Sequence, residues 1–76
     1  MNLKTFSERQ NANQIEIIKL HRSPDNVDHW FPMIYCTDGS VHLLIDSEEK
    51  EISKESIEEL IDKLKRYGAK KAEIIF

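Results

Sequence analysis

The run ISKESIEELIDKLKRYGAKK constrains this chain more than any other stretch. Ile57, Leu60, Ile61 and Leu64 recur at i, i+3, i+4 and i+7, with Tyr67 extending the stripe, so they share one helix face. Ser53 stands where an N-cap hydroxyl would accept from an otherwise unpaired backbone N–H. Ile52 and Ile57 occupy the two positions of a hydrophobic staple. Glu55, Glu58, Glu59 and Asp62 fall in the early turns and Lys63, Lys65 and Arg66 in the late ones, an order that complements the helix dipole. Gly68 supplies the left-handed residue that ends the run. The spacing predicts a helix over 54–67. A helix with one apolar stripe must bury that stripe against a second layer, and the flanking sequence is strand-like.

QIEIIKLHR carries β-branched residues at 15, 17 and 18 and reads as a strand. Its alternation is imperfect, because Ile15 and Ile17 point one way while Ile18 and Leu20 point the other. Such a strand is either central and covered twice or carries a bulge. SPDNVDH reads as a loop. KKAEIIF, at the other end, reads as a short strand alternating Ala72, Ile74 and Phe76 against Glu73 and Ile75. The expected fold is therefore α+β: a two-layer β-β-β-α-β sandwich with a four-stranded, mostly antiparallel sheet and one helix on one face. Residues 15–76 form the domain and the polar residues 1–14 are expected to be mobile, with Leu3 and Phe6 able to form one helical turn.

The middle strands come from FPMIYCTDGSVHLLID, where Asp38-Gly39 marks a hairpin. Two turns fit. A two-residue turn pairs Thr37 with Ser40, Cys36 with Val41, Tyr35 with His42 and Ile34 with Leu43. It places Ile34, Cys36, Val41, Leu43 and Ile45 on the core face and Phe31, Met33, Tyr35, His42 and Leu44 on the other. A three-residue Thr37-Asp38-Gly39 loop with Gly39 left-handed slides the pairing by one residue and puts Cys36 and His42 on a common face. The first is preferred because cysteine is often fully buried; Val41, Leu43 and Ile45 are expected on the core face in both.

The chemistry-bearing residues give little to catalysis. Cys36, the single cysteine, lies mid-strand without the helix N-terminus or adjacent cations that activate a thiolate. His21, His29 and His42 with Asp28 or Asp46 match no metal-ligand spacing. Two glycines make no phosphate-cradling loop. No enzyme activity, cofactor or metal is expected. A net charge of −3 with 33% charged residues is that of an ordinary soluble domain. No apolar run reaches a membrane span, the first 14 residues lack the apolar core of a secretory signal, and an unpaired cysteine fits a reducing compartment. The expected location is the cytoplasm.

One helix covers one sheet face, yet apolar residues are too many for one core. Phe31, Met33, Tyr35, His42 and Leu44 are the expected uncovered set, and exposed apolar patches mark interfaces. A small non-catalytic interaction or regulatory protein, dimerising or binding another protein through that face, is the leading expectation. The alternative is a nucleic-acid-binding module using Lys63, Lys65, Arg66, Lys70 and Lys71, five cations within KLKRYGAKK, with Tyr67 available to stack on a base.

Overall fold

A computed structural model describes all 76 residues. The elements are α1 (Leu3–Asn11), β1 (Ile15–Arg22), β2 (Trp30–Cys36), β3 (Val41–Leu43), α2 (Ile57–Arg66) and β4 (Glu73–Ile74). The four strands form one sheet in the order β3-β2-β1-β4. β1–β2 and β2–β3 pair antiparallel, and β4 lies parallel to β1. The expected α+β sandwich is present, with two helices in place of one.

The added helix, α1, falls in the segment expected to be mobile, and its ends explain why. Asn2 Oδ1 accepts from Thr5 N–H at 2.8 Å, capping the N-terminus. At the other end Asn13 is left-handed (φ 57°), its N–H reaches the Gln10 carbonyl and the Gln14 N–H reaches that of Arg9. That is a Schellman closure with asparagine in the position glycine usually takes. Phe6, between the caps, is fully buried. One large apolar anchor with good caps holds a helix that its polar composition does not advertise.

α2 is shorter than expected and is capped by Ser56, whose Oγ accepts from Glu59 N–H at 3.3 Å, not by Ser53. The reason is tertiary. Ile52 N–H donates to the Leu44 carbonyl, and Lys54 exchanges two backbone bonds with Trp30 (2.7 and 2.9 Å), so residues 52–54 are held extended beside the sheet. The C-terminus follows expectation: Gly68 has φ 101°, its N–H bonds the Lys65 carbonyl and the Ala69 N–H bonds that of Leu64.

The core is one cluster. Ile18 and Leu20 from β1, Trp30, Ile34 and Cys36 from β2, and Leu44 and Ile52 from the following segment meet Phe6 of α1 and Leu60 and Leu64 of α2. Both helices therefore cover the same side of the sheet. Their stripes share a single apolar layer, and the other side has no covering element.

Candidate protein-interaction face

The hairpin register decides which residues reach the uncovered side. Met33 pairs with Leu43, Ile34 with His42 and Tyr35 with Val41, which is the three-residue loop and not the preferred two-residue turn. Gly39 is left-handed (φ 90°), Gly39 N–H closes on the Cys36 carbonyl at 3.0 Å, and Cys36 N–H donates to the Ser40 carbonyl at 2.9 Å. The Asp38 carboxylate ties the loop by accepting from the Ser40 hydroxyl (2.6 Å) and Ser40 N–H (2.9 Å). Those two bonds, the hydroxyl first, hold its pKa below the ordinary aspartate value. Asp38 thus favours the loop by bonding to its own turn, a preference the Asp-Gly pair alone does not reveal.

One residue of slip exchanges the faces. Cys36, expected opposite Val41, stays in the core as expected, but Val41 and Leu43 leave it: Val41 is 45% exposed and Leu43 half-buried on the bare side, beside Tyr35 and Met33. His42 and Leu44, expected on the bare face, lie on the helix side, where Leu44 is buried. β3 then ends abruptly. The next step in register would set Leu44 opposite Pro32, which has no N–H to donate, and the Leu44 carbonyl accepts from Ile52 N–H at 2.9 Å instead.

On β1 the register slips between Ile15 and Ile17, so Glu16 is the extra residue of a bulge. This resolves the broken alternation. Ile18 and Leu20 enter the core, while Ile17, Lys19 and His21 face outward opposite Tyr35, Met33 and Phe31. The bare face is thus Ile17, Lys19 and His21 of β1, Phe31, Met33 and Tyr35 of β2, and Val41 and Leu43 of β3. Only Phe31, Met33 and Tyr35 of the expected five are on it. Lys19, His21, Val41 and Leu43 were missed, because their placement depends on a bulge and a loop length.

The face is apolar with a cationic middle. Lys19 Nζ sits 4.9 Å from the centre of the Tyr35 ring, a cation–π contact. His21 stacks on Phe31 with centroids 5.7 Å apart and rings inclined by 25°. His21 Nε2 is buried and has no hydrogen-bond partner.

The other candidates are dispersed. Cys36 is 2% exposed with Sγ 3.5 Å from Arg9 Nη1, while His42 Nε2 lies 3.0 Å from Ser40 Oγ; the two share a face but do not bond each other. The five basic residues divide. Lys63 and Arg66 line a groove with Lys54, Glu59 and Asp62, where carboxylates alternate with the cations. Lys65, Lys70 and Lys71 rim a small cleft floored by Ile61, Leu64, Ala69 and Ala72. Tyr67 lines a third groove with Leu3, Ser7 and Ile45. No group of three or more His, Cys, Asp or Glu residues is placed to hold a metal ion, and no helix is long and apolar enough to cross a membrane.

No protein-family model matches this chain, and no curated protein or solved structure matches it significantly.

Proposed function

We propose that this chain is a small non-catalytic interaction module that regulates another protein by docking on it through the bare face of the sheet. One observation carries the reading: Phe6, Leu60 and Leu64 pack into a single core on one side, leaving eight side chains, six of them Ile, Phe, Met, Tyr, Val or Leu, uncovered on the other. A two-layer domain gains nothing from such a face in isolation, and faces of this kind serve as interfaces. A second copy and a different protein both fit an apolar sheet. The different protein is favoured, because two copies packed face to face would bring Lys19 of each toward that of the other, and like charges brought together without water are unfavourable. The partner's surface should be apolar with a carboxylate where Lys19 arrives. A reducing, cytoplasmic setting agrees with the unpaired, buried Cys36. The nucleic-acid reading has less support, since its five cations fall into two groups and one of these is interleaved with Glu59 and Asp62.

The test places a photocrosslinking residue at Met33, at Leu43 or, as control, at Glu58 on α2, in cells expressing the protein. A discrete adduct of the same mass from Met33 and Leu43 and none from Glu58, lost in Lys19→Glu, is expected. Adducts arising equally from Glu58, or from no position on the sheet, would refute the reading.

A further inference from the structure

We infer that the free edge of the sheet, at β4, pairs antiparallel with β4 of a second copy, forming a two-fold dimer with one continuous eight-stranded sheet. This rests on the sheet's edge and stands or falls separately from the docking face.

The two edges of the sheet are treated differently by the chain. Beyond β3, the Met1 carbonyl accepts from Ile45 N–H at 2.9 Å, the Met1 amino group donates to the Leu43 carbonyl at 3.1 Å, and Asn2 bridges Ile45 in parallel. That edge is occupied from Leu43 onward. The β4 edge has no such cover. Ile75 N–H donates to the Leu20 carbonyl at 2.9 Å, so residues 73 and 75 turn their backbone groups toward β1. By alternation Ile74 turns its own outward, and a strand that adds to the sheet would extend the same pattern to Ala72 and Phe76. Large apolar side chains stand at the same edge: Ile74 is 42% exposed and Phe76 fully so.

The occupant follows from complementarity along this segment. Pairing two copies about Ala72 sets Lys71 of each opposite Glu73 of the other, two cross-strand ion pairs related by the two-fold axis. Shifting the axis to Glu73 would instead oppose the two carboxylates. In the Ala72 register Ile74 of the second copy meets Lys70, and Phe76 of the second copy runs on toward the turn at Gly68 that ends α2. Ile74 pairs with core-facing Leu20, so these side chains lie on the helix side of the sheet. That is the side of the cleft formed by Ile61, Leu64, Ala69 and Ala72. The exposed apolar residues of each copy thus reach an apolar recess of the other, and the axis, normal to the sheet, leaves both docking faces on the same side.

Sedimentation velocity from micromolar to millimolar concentration tests this, with circular dichroism confirming the fold of each variant. The wild type should pass from monomer to dimer. Ile74→Pro removes an outward N–H without touching the bond between Ile75 and Leu20, and should abolish the dimer. Lys71→Glu and Glu73→Lys should each weaken it roughly tenfold by opposing like charges twice, and the double swap should restore it. A strict monomer at every concentration overturns the inference, as does a dimer unchanged by Ile74→Pro. Dimerisation lost in Met33→Lys/Leu43→Glu but kept in Ile74→Pro would also overturn it, placing self-association on the docking face.

Discussion

Replacing Phe6 by alanine distinguishes an integral α1 from a loose terminal segment. Phe6 has no exposed surface and touches a cluster that includes Leu60, Leu64 and Ile34, so its ring is part of the only core this domain has. Truncating a buried phenylalanine costs about 3–5 kcal/mol, the sum of lost transfer energy and the cavity left behind. Domains in general hold about 5–15 kcal/mol in total, so this one substitution would remove much of the margin. For a chain of this length each kcal/mol lowers the melting temperature by roughly 4–8 °C, which predicts a fall of at least about 12 °C. Phe31→Ala is the matched control: the same chemistry, on the bare face, half-buried against His21. It should cost clearly less than Phe6→Ala, since part of its area stays hydrated in the folded state and no closed cavity forms. Urea titration followed by the fluorescence of Trp30, which lies in the same core, measures both. Equal costs for the two variants, or a Phe6→Ala cost under about 1 kcal/mol, would refute the assignment of α1 to the core.

The hairpin register makes a second contrast: Leu44→Ala should lose about 2–5 kcal/mol and Leu43→Ala clearly less in the same assay, with the reverse order restoring the two-residue turn. Cys36, 2% exposed, should react slowly with a thiol reagent in the native protein and rapidly once it is unfolded; fast native labelling would show that α1 opens. Asp38 and Asp46 have folded pKa values held below the ordinary range by turn hydrogen bonds, from Ser40 in one case and from the Lys50 and Glu48 N–H groups in the other. A depressed carboxylate stabilises the fold above its unfolded pKa of about 3.9 and ceases to as pH falls through the lower folded value. Melting temperature should therefore drop below about pH 4, less steeply in Asp38→Ala/Asp46→Ala; an unchanged slope would refute the role of these turns.

Much of the architecture was legible because it follows from local chemistry. The stripe Ile57, Leu60, Ile61 and Leu64 and the glycine at 68 marked α2 and its end, and β-branched runs marked β1 and β4. Asp38-Gly39 marked the hairpin. The misplacements all arise where a long-range partner or a single extra residue decides. Ser53 is a sound N-cap by sequence, but the pairing of Lys54 with Trp30 holds that stretch extended and hands the role to Ser56. α1 looked too polar to fold, and its stability comes from one phenylalanine inserted into a core built by residues 12 to 58 positions away.

The sequence by itself determined α2 and the four strands, that one sheet and one apolar layer would form, and that more apolar side chains exist than one layer can bury. Those properties depend on periodicity and caps, which are written within a few residues. Which side chains reach the bare face was decided only by tertiary structure. A strand alternates with period two, so the bulge at Glu16 and the third loop residue at Gly39 each reverse the facing of everything beyond them, and Pro32 stops β3 where an N–H is lacking. That α1 and α2 fell on the same side, leaving Lys19, His21, Phe31, Met33 and Tyr35 uncovered together, follows from the joint packing of Phe6, Leu60 and Leu64. Its energy belongs to the assembled core and to no single segment.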